Sequence, residues 1–155
     1  MRSFLLYVVL ACLPASAQIV LRINQAPPRN IAAETLSKLP RHTAVLNDHG
    51  REIKYEGPLL RDVLAEAGID LTKGLRGKQL SSYVTALATD GYEVVYALAE
   101  FDPTVVNSDI ILADKREGQP LAANEAPFRI VAPSDKRPAR SVRMVREIAV
   151  VQLAQ

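Results

Sequence analysis

The chain has 155 residues, of which 19 are basic and 17 acidic, for a formal charge of +2. That length buries a proper core without disulfide staples, and near-neutrality excludes recognition of nucleic acid or anionic membrane through overall charge. One cysteine and two histidines exclude a disulfide framework and leave no ligand set with zinc spacing.

The first segment has the pattern of a leader. Arg2 is a positive start, Phe4 to Ala11 is an apolar run, Pro14 breaks it, and Ala15-Ser16-Ala17 is an A-x-A cleavage signal. The run falls short of the roughly 20 apolar residues that span a bilayer. Residues 1–17 are therefore expected to be a secretory signal peptide, leaving a single domain over 18–155. Cleavage before Gln18 removes Cys12, the only thiol. The competing reading, Cys12 as a lipidated first residue, has only the loosely matching Leu10-Ala11 ahead of it. No other stretch is long and apolar enough to be transmembrane.

Gln18 to Asn24 alternates apolar and polar and predicts a strand. Asn30 is placed to cap a short helix running to Leu39, which Pro40 ends. Thr43–Leu46 and Arg51–Tyr55 predict two strands around the turn Asn47-Asp48-His49-Gly50. Pro58 suits a first helical position, Leu59, Leu60, Val63, Leu64 and Ala67 make one apolar face, and Gly68 supplies the stop. After a loop over 71–80, Ser82–Ala88 and Tyr92–Leu98 predict a hairpin about Asp90-Gly91. Asp102-Pro103 starts a helical turn, Ile110–Ala113 and Phe128–Ala132 are short apolar strands, and 116–120 is a turn. Pro133–Ala139 is a charged loop, and Val142–Leu153 closes the chain as a strand. Strands dominate and only two or three helices interrupt them, so the fold class is α+β.

Neither a Walker loop, nor G-x-G-x-x-G, nor G-x-S-x-G is present. Two polar concentrations remain. Lys136, Arg137, Arg140, Arg143 and Arg146 put five basic residues into eleven positions. Such a run is commonly a solvated loop and strand face, but arginine forks also bind phosphate and carboxylate oxygens bidentately. Asp90, Tyr92, Tyr83, Glu93 and Glu100 form the other group. A carboxylate there can accept from an amino-pyrimidine edge and an aromatic ring can stack on it. The plainer alternative is a hairpin turn flanked by strand tyrosines, and it is favoured for Tyr96.

An ordered series carries a family resemblance. It runs Tyr55-x-Gly57-Pro58-Leu59-Leu60-x-Asp62-x-Leu64, then Asp90-Gly91-Tyr92, Leu112-Ala113 and Gly118-x-Pro120-Leu121. Pro127-Phe128-Arg129-x-Val131-x-Pro133 and Ala139-Arg140-x-Val142-Arg143 close it. This resembles the molybdopterin-binding domain of the sulfite oxidase family over about residues 39–150, and implies mixed sheets around a pterin-cofactor pocket. Enzymes of that family ligate molybdenum with a cysteine ahead of the strand carrying the Tyr55-Gly57 pattern, and here Arg41–Lys54 has none. Ala126 and Ser141 are further departures, standing where relatives often have a glycine and an aromatic. The chain is most similar to small exported members that bind a reduced pterin without molybdenum.

The resemblance thus implies a non-catalytic periplasmic ligand receptor or carrier, partnered by an inner-membrane sensor that controls cyclic-di-GMP turnover. The alternatives are a small molybdopterin-dependent oxidoreductase or subunit, and a protein-interaction module that has lost its pocket. By the resemblance, Arg140 and Arg143 lie near the pterin and phosphate end of the ligand, with Lys136 and Arg137 on the same loop. Asp90 and Tyr92 match the Asp-Gly-Tyr turn, and Tyr83 joins them from the residue reading alone. Arg129 reads as structural, paired with a buried carboxylate. No metal ligand and no catalytic residue is expected.

Overall fold

A computed structural model describes residues 17–106 and 108–153. The leader and Cys12 lie outside the described residues, apart from Ala17. A five-stranded sheet has the order β2-β1-β11-β5-β6. Its strands are β1 (Gln18–Ile23), β2 (Arg29–Ala32), β5 (Tyr83–Ala88), β6 (Glu93–Ala97) and β11 (Val145–Val151). β1 and β11 are parallel, with Val20 opposite Glu147, and the other pairs are antiparallel.

A four-stranded antiparallel sheet has the order β3-β4-β8-β9, built from β3 (His42–Asp48), β4 (Arg51–Gly57), β8 (Lys115–Arg116) and β9 (Gln119–Pro120). A third sheet pairs β7 (Ile111–Ala113) with β10 (Arg129–Val131). Two α-helices, α1 (Ala33–Ser37) and α2 (Leu60–Glu66), and three short 3-10 turns complete the described chain. No helix of the described residues is long and apolar enough to cross a membrane.

β7 reads as a continuous apolar run, and β10 as one broken only by Arg129, because both of their faces are covered. Leu112 and Ile130 enter the larger core under the five-stranded sheet. Ile111, Ala113 and Val131 enter a smaller core with Ala44, Leu46, Ile53, Tyr55 and Leu59. Side chains alternate along a strand, so Arg129 shares the face of Val131 and meets Tyr55. β4 crosses β7 closely enough that a Cβ on Gly57 would lie 2.1 Å from the Leu112 carbonyl oxygen, and only glycine fits there.

Two local expectations change. The segment after Arg29 begins as strand β2, not as a helix capped by Asn30. Its backbone completes the edge of β1, with Ile31 opposite Ile19, and that pairing outweighs the preference of asparagine for a cap. Helix α1 then spans five residues. Helix α2 starts at Leu60 rather than Pro58, because residues 58–60 first pair with the β7 segment. Leu112 N donates to Pro58 O at 2.9 Å, and Leu60 N to Ile110 O at 2.8 Å. Gly68, at φ +95°, ends α2 as expected. Asp102-Pro103 starts a single turn as expected, with the Val105 and Val106 amides both on Asp102 O.

Candidate functional site

A cleft of about 490 Å³ opens where the β3–β4 and β5–β6 turns meet the loop before β11. That volume lies within the range of small-molecule sites. Asp48 and His49 come from the first turn, Asp90 and Tyr92 from the second, and Ser141 and Arg143 from the loop. Tyr55 of β4, Arg116 of β8, Glu125 and Arg129 of β10 form the remaining charged and aromatic lining. Three carboxylates thus face three guanidinium groups.

Each turn is set locally. Gly91 takes φ +87°, and the Tyr92 amide donates to Asp90 Oδ1 at 3.0 Å, leaving the second carboxylate oxygen of Asp90 for other partners. His49 takes φ +52° and its Nε2 lies 3.6 Å from Asp48 Oδ1. The loop wall is latched to β6 by two tyrosines. Tyr92 donates its hydroxyl to Ala139 O at 2.7 Å, and Tyr96 donates to Arg140 O. Ser141 is buried and its hydroxyl accepts the Ala132 amide at 3.1 Å.

A buried cluster lies beneath. Glu125, 2% exposed, accepts the Tyr55 hydroxyl at 2.8 Å and Arg116 Nη1 at 3.2 Å, and is paired with Arg129. The Arg129 guanidinium sits over the Tyr55 ring, 4.9 Å from its centroid. Burial pushes the Tyr55 phenol up to about 12. Burial alone would raise the Glu125 carboxyl, but the Tyr55 hydrogen bond and the charges of Arg129 and Arg116 outweigh it and hold the carboxyl below its usual range.

Of the seven residues singled out in the sequence, Asp90, Tyr92 and Arg143 line the cleft. Arg140 is engaged elsewhere. Its guanidinium bonds Asp135 at 2.6 and 2.9 Å and Glu100 at 2.9 and 3.0 Å, and stacks on Tyr96 at 5.0 Å. The Asp135 hydrogen bond above all raises its already high pKa. Lys136 and Arg137 are exposed outside the lining. Tyr83 begins β5, opposite Val151, at the end of the strand remote from the Asp90 turn.

Sequence reasoning passed over Asp48, Tyr55, Arg116 and Glu125 as lining residues. Arg129 does pair with a buried carboxylate, as read. Its position within Phe128–Ala132 was the available signal, since a charge in an otherwise apolar run demands a buried counter-charge. The described residues contain no group of three or more His, Cys, Asp or Glu side chains able to hold a metal ion.

No curated protein matches the sequence significantly. Among solved structures, the crystal structure of the sulfane dehydrogenase SoxCD from Paracoccus pantotrophus matches with a TM-score of 0.66 at 18% identity. The match covers 88% of this chain and 38% of that one. It establishes a shared α+β fold, and the chain spans well under half the length of that relative. A family model described as the oxidoreductase molybdopterin binding domain matches residues 29–155. Most of the chain lies within that match, and it belongs to the oxidoreductase molybdopterin binding domain family.

Proposed function

We propose that this protein is an exported, non-catalytic pterin-binding protein that holds a reduced pterin without molybdenum. It acts as a periplasmic receptor or carrier and reports to an inner-membrane sensor of cyclic-di-GMP turnover. The observation that carries the reading is the composition of the cleft. Carboxylates at Asp48 and Asp90 can accept from an amino-pyrimidine edge, guanidinium groups can donate to its oxygens, and Tyr92 offers an aromatic wall. These groups suit the pterin part of a molybdopterin. For the metal part the donor chemistry is missing, since the sequence has no cysteine after Cys12 and none in Arg41–Lys54. A bound molybdopterin would supply redox chemistry at its metal, and no protein thiolate from this chain would complete that centre.

Titration of the purified protein with tetrahydrobiopterin tests this reading. Saturable binding in the micromolar range is the expected result, and none would sink it. The family match itself favours a second reading, a small molybdopterin-dependent oxidoreductase or subunit. Metal analysis of protein from a cofactor-competent host separates the two, because stoichiometric molybdenum belongs to the second alone.

A further inference from the structure

Charge and apolar surface are uneven at the end of the molecule remote from the cleft, where β5 begins and β6 and β11 end. Three hydrogen bonds gather the loops there. Leu75 N donates to Asp102 Oδ2 at 2.6 Å, Leu98 N to Ser82 O at 2.9 Å, and Leu153 N to Ser82 Oγ at 2.9 Å. They bring together the 3-10 turn Gly77–Ser81, the turn after Asp102 and the residues after β11. Five of the eight exposed large hydrophobic side chains of the described residues belong to this end. They are Leu80, Tyr83, Val105, Val106 and Leu153, each 38–49% exposed. Exposed apolar residues scattered singly need no explanation, but a group of them marks a contact surface.

The charges beside this group fix what it contacts. Segments 71–82 and 103–108 carry Lys73, Arg76 and Lys78 and no acidic residue, with Asp70 and Asp109 just outside them. All three cations are exposed, and none joins a salt bridge among the described residues. Asp70 turns its Oδ1 back onto the Thr72 amide and hydroxyl. An apolar group with cations beside it is complementary to anionic lipid headgroups. Aliphatic side chains enter the boundary between headgroups and acyl chains, and lysine stems reach back to the phosphates. Two of the three cations are lysines, compact point charges that suit many loosely placed phosphates better than one fixed carboxylate of a protein partner. Tyr83, apolar with a polar tip, suits the same boundary.

We propose that this end of the protein rests on an anionic membrane surface as a peripheral contact, through Leu80, Val105 and Val106 together with Lys73, Arg76 and Lys78. β5 and β6 run from this end to the Asp90 turn at the cleft. A protein seated this way turns its cleft away from the lipid and leaves it open to a ligand. The proposal stands on this surface alone and holds whether or not the cleft takes a pterin.

The test is co-sedimentation of the purified protein with vesicles, either of phosphatidylethanolamine with phosphatidylglycerol or of phosphatidylcholine alone. Binding to the anionic vesicles at low salt, weakening as salt rises, is the expected result. Lys73→Gln with Lys78→Gln should weaken it about thirtyfold, from about fivefold per charge. Leu80→Ser with Val105→Ser should weaken it about tenfold. No binding to anionic vesicles overturns the proposal. Equal binding to phosphatidylcholine also overturns it, and covers any apolar adhesion by residues 1–17. Binding unmoved by either pair of substitutions places the contact on another face and overturns it too. Retention on polyglutamate without vesicle binding would assign this end to an acidic protein instead. All four positions are exposed, and the salt and lipid dependence of the unsubstituted protein decides the matter even where a variant fails to fold. Tetrahydrobiopterin affinity should be unchanged in both pairs, since none of these residues lines the cleft.

Discussion

Glu125 and Arg140 make their ion pairs in different surroundings, and substitution should separate them. Glu125→Gln removes the counter-charge of a buried arginine, which costs about 3–5 kcal/mol when one partner of such a pair is lost. Urea denaturation should register that drop. Arg140 is 35% exposed at its side chain, so Arg140→Ala should cost about 1 kcal/mol and leave cleft binding nearly unchanged. Arg143→Ala should do the reverse, weakening tetrahydrobiopterin binding at constant stability. The pH dependence follows from Glu125 and Asp102. Burial opposes ionisation of Asp102, yet hydrogen bonds from Leu75 N and from Thr104 outweigh it and hold its carboxyl below the usual range. Groups with a depressed folded value stabilise fully above the ordinary carboxylate range and lose that contribution as pH falls through the folded value. The unfolding midpoint should therefore stay flat down to about pH 5 and fall below about pH 4. A midpoint that rises on acidification would contradict both assignments. The basic run was legible in the sequence, but its division of labour was not. Arg140 pairs with Glu100, forty residues away, a contact that only the folded chain creates.

At the scale of elements, the β3–β4 and β5–β6 hairpins were readable because turn residues flank alternating strands. The β2 segment was not, because its four residues carry a helix-cap signal and become a strand only through the free edge of β1. The close approach of β4 to β7 yields a sharp prediction. Gly57→Ala would force a Cβ against the Leu112 backbone and should cost about 1–3 kcal/mol in a denaturant series. The loop wall of the cleft depends on hydroxyls at both tyrosines of the β6 region. Tyr92→Phe, which removes the bond to Ala139 O, should lower stability by about 0.5–1.5 kcal/mol. An unchanged unfolding midpoint would show that the latch does not hold the wall.

Across the whole molecule, two cores share the β7–β10 pair between them, and the cleft opens beside the smaller core. The α+β class and the family were visible in the ordered series from Tyr55 to Arg143. The floor of the cleft was hidden because Tyr55, Arg116 and the Glu125–Arg129 pair come from three segments that only the fold brings together. The central claim is that this cleft holds a pterin and no molybdenum. The most direct measurement is mass spectrometry, with metal analysis, of the small molecules released on denaturing protein purified from its native host. The account predicts a pterin with no stoichiometric molybdenum. A released molybdopterin accompanied by one molybdenum per chain would contradict it.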